Sequence, residues 1–90
     1  MQTLNRPLGR AMLFTLGEKS YAWIVTNTID EWEYEPIGST ADRDSLEWAE
    51  AAFGACARAF RRLQARHPEM DIVIGVEKCP IGRALRRPFR

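Results

Sequence analysis

Residues 44–68 read DSLEWAEAAFGACARAFRRLQARHP, and this stretch decides the fold. Apolar residues recur at Leu46, Ala49, Phe53, Cys56, Phe60 and Leu63, the three-to-four spacing of a helical face. Asp44 with Glu47 three residues on predicts an N-cap and a capping box. His67–Pro68 predicts the stop, because the residue before proline disfavours helical geometry. Twenty or so residues at 1.5 Å each make a rod of roughly 30 Å, long enough to cross a small sheet.

Upstream of the helix the period changes from helical to alternating. RAMLFTL (10–16) and YAWIVTNT (21–28) are two apolar runs around the turn-like GEKS, the signature of a hairpin. In the second run Tyr21, Trp23, Val25 and Asn27 share one face, and Ala22, Ile24 and Thr26 the other. EWEYEPI (31–37) predicts a third strand, placed at a sheet edge because Pro36 lacks a ladder donor. Downstream, MDIVIGVEKC (70–79) is almost wholly apolar until Glu77, which predicts a central strand buried on both sides.

The expected architecture is therefore α+β, in the order β-β-β-α-β. One small domain (10–79) holds a mainly antiparallel three- to four-stranded sheet with one long helix across a face. Residues 1–9 are expected to form an arm and 80–90 a basic tail. A strand after a helical crossover can lie parallel to its neighbour.

Ninety residues carry a net charge of +1, which conceals a polarised chain. Residues 18–50 hold nine acids against Lys19 and Arg43, a balance of −7, whereas residues 51–90 hold nine bases against three acids, a balance of +6. Such asymmetry points to charged partners or to self-complementary association. The longest early apolar run, AMLFTL, is far short of a membrane span of about 20 residues, and a cytoplasmic location is the expectation. Cys56 and Cys79 sit in no CxxC pair and His67 is the only histidine, so neither a structural metal nor any other cofactor is expected. Cys56 fits a small buried residue of the helix.

Three surfaces are candidates for function. The first is an acid ladder: Glu31, Glu33 and Glu35, with Asp30 beside them, lie at intervals of about 6.6 Å along one strand face. Trp32 and Tyr34 alternate with them and are expected to face the core beneath the helix. In its plain form the ladder is the solvated face of an edge strand, where charge discourages accidental pairing. In its sharper form it imitates a row of phosphates and engages a basic cleft, steered by complementary fields.

The second is the helix flank Trp48, Ala52, Ala55 and Ala59. The non-polar arc of the helix spans about 200°, wider than one sheet face requires. If the sheet covers the phenylalanine side, this flank needs the arm, the tail, a second copy or a partner protein.

The third is basic. Arg58, Arg62 and Arg66 form a stripe, joined by Arg83, Arg86, Arg87 and Arg90 of the tail, and could meet nucleic acid. Arginines near a helix C-terminus are equally explained by its macrodipole, and His67 fits that role too.

Catalysis is not expected. Carboxylates strung along a strand diverge, Glu77 and Lys78 face opposite sides, and a Cys79 thiol has only His67 as a base. The sequence favours a non-catalytic inhibitor or adaptor acting by protein–protein contact, of the kind that phages and mobile elements encode against host nucleic-acid enzymes. The alternative is a nucleic-acid-binding accessory protein that uses the arginines.

Overall fold

The structure is a computed structural model that describes residues 6–75. Strands β1 (Leu8–Leu16), β2 (Lys19–Val25) and β3 (Asp30–Pro36) form an antiparallel meander, helix α1 (Leu46–Arg66) crosses it, and β4 (Asp71–Ile74) closes it. The sheet order is β3-β2-β1-β4, with β4 parallel to β1. The α+β class, the meander, the long helix and the edge position of β3 are as the sequence predicts.

Local signals account for the element ends. The β1–β2 turn needs a left-handed residue, and Gly17 supplies it at φ 64°. The helix N-cap is Ser45 rather than Asp44: its Oγ accepts from the Trp48 N–H at 3.1 Å and donates to the Asp42 carbonyl at 2.6 Å. At the other end the His67 backbone N–H donates to the carbonyls of Leu63 and Gln64, ending the helix where proline requires.

Three further expectations are corrected. β4 is not central: it is the edge beyond β1, and residues 76–79 of the expected strand lie outside the described residues. β1 begins at Leu8, inside the expected arm, because Leu8 and Gly9 pair with Asp71 and Ile72. Arg6 secures that junction with an ion pair to Asp71 at 3.0 Å and a hydrogen bond to the Pro68 carbonyl at 2.6 Å.

The third correction concerns the helix face. Ala52, Ala55, Cys56, Ala59 and Leu63 are the residues pressed onto the sheet, whereas Phe53 is 40% exposed. Small residues win because the sheet is small there too: Ala11, Ser20 and Ala22 are fully buried beneath them. Alanine against alanine lets the backbones approach closely enough for the Ser20 hydroxyl to donate to the Ala52 carbonyl at 2.8 Å. The expected docking flank Ala52–Ala55–Ala59 is therefore core. Leu13, Ile24, Leu63 and Ile72 supply its larger side chains. No described helix is long and apolar enough to cross a membrane.

Candidate functional site: the open sheet face

Which way β3 faces follows from its neighbour. Residues directly opposite in an antiparallel pair share a face. Ala22 lies opposite Glu33, Tyr21 opposite Tyr34, and Trp23 opposite Trp32. Since Ser20, Ala22 and Ile24 turn toward the helix, Glu31, Glu33 and Glu35 must do so as well. Trp32 and Tyr34 then point away from it, 63% and 51% exposed. The expected arrangement, aromatics in and acids out, is reversed.

The acids meet the arginine stripe. Arg58 Nε is 2.9 Å from Glu35 Oε2, and Arg62 Nε is 2.9 Å from Glu33 Oε1. Arg62 Nη2 is 3.2 Å from Glu35 Oε1 and donates to the Tyr34 carbonyl at 2.7 Å. Arg66 pairs with both Glu31 and Glu33. His67 Nε2 lies 3.0 Å from Glu31 Oε1, while its Nδ1 is 3.7 Å from Glu69.

The match is metric. Two strand residues advance about 6.6 Å and four helix residues about 6.0 Å, so a Glu-x-Glu-x-Glu row runs in step with arginines spaced four apart. Hydrogen bonding from Arg62 holds the Glu33 carboxyl below its usual range, and Arg58 does the same to Glu35. Glu33 in turn raises the Arg62 guanidinium.

Two predicted surfaces are thus each other's partner. The acid ladder is no free row of charge, and Arg58, Arg62 and Arg66 are no free cationic stripe. Arg83, Arg86, Arg87 and Arg90 lie outside the described residues. Trp48 is half-buried at the loop end of the helix, with the Arg43 guanidinium 4.9 Å over its ring. It lines a shallow cleft of about 480 Å³ with Gly17, Ile37 and Thr40. Among the described residues no group of three or more His, Cys, Asp or Glu side chains could hold a metal ion.

What remains is the sheet face opposite the helix, which no described residue covers. Register arranges it in rows. Phe14, Tyr21 and Tyr34 form one, and Met12, Trp23 and Trp32 the next. Leu16, Lys19 and Pro36 lie at one end, and Val25 and Asp30 at the other, with Arg10 two residues before Met12 on β1 and paired with Val73.

The rings form a continuous layer. Phe14 and Tyr21 stack at 4.9 Å with planes 3° apart, and Tyr21–Tyr34 and Trp23–Trp32 follow at 5.9 and 6.4 Å. The Lys19 ammonium sits 4.6 Å from the Tyr34 ring, and Trp23 Nε1 donates to Asp30 Oδ1 at 2.7 Å. Leu8, Leu16, Val25 and Val73 extend the layer with exposed aliphatic surface.

The sequence reading missed this face because it sent Trp32 and Tyr34 inward; the alternation of β2, with its small residues on one side, carried the signal. Comparison with family models, with curated proteins and with solved structures gives no match for this chain.

Proposed function

We propose that the domain is a non-catalytic binding module that works by protein–protein contact, and that its contact surface is the open face of the sheet. The observation that carries this reading is the layer around Trp32 and Tyr34, where half or more of each side chain meets solvent. Contiguous exposed apolar surface of this kind marks interaction sites, and tryptophan and tyrosine are the side chains most often dominant in them.

An inhibitor or adaptor role suits a surface without catalytic groups. Imitation of a phosphate row is less well supported, since Glu31, Glu33 and Glu35 are held by arginines of the same chain. The nucleic-acid alternative loses three helix arginines for the same reason. It retains the ring layer, on which bases could stack, but the rim of that layer is mostly aliphatic, with Lys19 and Arg10 as its cations.

The test places a photoreactive side chain at position 32, with position 61 on the outer helix surface as control. Irradiation in cells is expected to give protein adducts from position 32 and none from position 61. Equal yields, or none, would reject the reading. Adducts to nucleic acid alone would replace it with the alternative.

A further inference from the structure

Going beyond the open face, we propose that the β4 edge of the sheet is a second binding site, which takes an extended segment of a partner protein as an added antiparallel strand. The hydrogen bonds of β4 point there. The Asp71 and Gly75 N–H groups donate to the carbonyls of Pro7 and Ala11, each at 2.9 Å, so these residues face β1. Val73 joins them by alternation, and Ile72 and Ile74 turn their N–H and C=O groups the other way. Those groups find no partner among the described residues.

The two edges of the sheet differ. On β3 the Arg62 guanidinium occupies the Tyr34 carbonyl at 2.7 Å, and Pro36 has no N–H to give. Devices of this kind keep stray strands off an edge. β4 carries no proline or lysine, and its one charge, Asp71, is held by Arg6 at 3.0 Å. What can pair with it is set by geometry. The outward groups of Ile72 and Ile74 repeat at about 6.6 Å. A helix keeps its carbonyls and N–H groups for itself, whereas an extended chain offers both at that repeat. Laid antiparallel, it exchanges two bonds with Ile72 and two with Ile74.

A cleft of about 400 Å³ lies beside these groups. Leu8 and Val73 line it from one side of the sheet and Met70 and Ile72 from the other, so it straddles the edge, with Gln64 of α1 alongside. Its apolar lining suits a branched aliphatic side chain of the added strand. Arg6 borders the cleft too, but Asp71 and the carbonyls of Pro68 and Met70 already engage it, so no charged side chain is called for. The occupant is therefore an extended segment that is uncharged and aliphatic at alternate positions. In this mode main-chain bonds supply affinity and pockets for alternate side chains supply selectivity.

The test uses the full chain and a capped peptide in which threonine and valine alternate, with two valines and a lysine at each end. Amide exchange at Ile72 and Ile74, followed by nuclear magnetic resonance, is expected to be rapid in the protein alone. The peptide at about 2 mM should slow it about tenfold, as a dissociation constant of about 0.2 mM implies. N-methylation of both valines, whose amides face β4, should weaken binding about tenfold or more, and N-methylation of the threonine between them should change it little. Ile74→Pro removes an outward donor and keeps the bonds to β1, so it should weaken binding about tenfold with an unchanged far-ultraviolet spectrum. Failure of the peptide to slow those amides overturns the inference, as does undiminished binding of the peptide methylated at its valines. Slow exchange in the protein alone overturns it as well: the edge is then already filled, by a second copy if the slowing grows with protein concentration and otherwise from within the chain. None of these outcomes bears on the adducts from position 32, which test the open face by themselves.

Discussion

Arg62 on the helix and Glu33 on the edge strand are joined at 2.9 Å, while the same guanidinium reaches the Tyr34 carbonyl at 2.7 Å and Glu35 at 3.2 Å. One side chain thereby fixes three consecutive residues of β3 against α1. Isolated surface pairs contribute about 0–1 kcal/mol, but here the geometry is shared among three arginines and three glutamates. The ladder's role is to hold an edge strand at the register that turns Trp32 and Tyr34 outward.

Removing the centre of the ladder should therefore cost more than removing an end. Arg62→Ala is expected to destabilise by about 1–2 kcal/mol, since it leaves Glu33 beside an unfilled site and frees a strand carbonyl. For a domain of this size that lowers the melting temperature by roughly 4–15 °C. A double-mutant cycle with Glu33→Ala should return a favourable coupling of about 0.5–1 kcal/mol. Zero coupling would show the ladder to be ornamental.

Acid should loosen the same contact. The carboxyls of Glu33 and Glu35 titrate below their unfolded value of 4.5 because Arg62 and Arg58 bind the charged forms. Groups with lowered folded values stabilise fully above the unfolded value and lose that contribution as pH falls through the folded one. Melting curves from about pH 7 to about pH 3 are expected to drop on the acid side, and to drop less steeply in Arg62→Gln. Parallel profiles for the two proteins would contradict the assignment.

The alanine stripe makes a contrasting prediction. Ala55 is fully buried, so Ala55→Leu must lift the helix from the sheet and should cost about 1–3 kcal/mol or more in chemical denaturation. Phe53→Ser, on the outer surface, should change stability by less than about 1 kcal/mol. The opposite order would restore the phenylalanine side as the buried one.

Trp48, the sequence's choice of anchor, should behave as a local packing residue. Trp48→Ala is expected to lower stability by about 1 kcal/mol through lost contact with Arg43 and the adjoining loops, and to leave the crosslinking yield from position 32 unaltered. Loss of those adducts in this variant would move the contact surface to the helix end.

Much of this was legible before the structure. The helix limits needed only the apolar spacing and His67–Pro68, and the meander needed only Gly17 and the alternation of Tyr21 to Thr26. Two rules of thumb misled where they compete with a more specific one. Acids usually face water, but three acids at strand spacing and three arginines at helix spacing form a commensurate pair, and commensurability prevailed. Large apolar residues usually fill the core, but Ser20 and Ala22 on the sheet leave room only for a close helix, so alanines took the seat and Phe53 was displaced. β4 reads as central because its run is apolar, yet a strand's place in a sheet depends on which edge it reaches, and composition does not encode that.

The parallel pairing of β4 with β1 also has a consequence for synthesis. Asp71 is made about 60 residues after its partner Leu8. At roughly 5–20 residues per second, the free edge of β1 waits on the order of 3–12 s before the chain that caps it exists. During that interval the hairpin offers neighbours on a polysome an unpaired strand edge beside the aromatic layer, the pairing template that promotes aggregation. Yield on expression should therefore depend on translation speed across residues 17–70, and synonymous codons that slow this stretch should lower it without touching the stability of the finished domain.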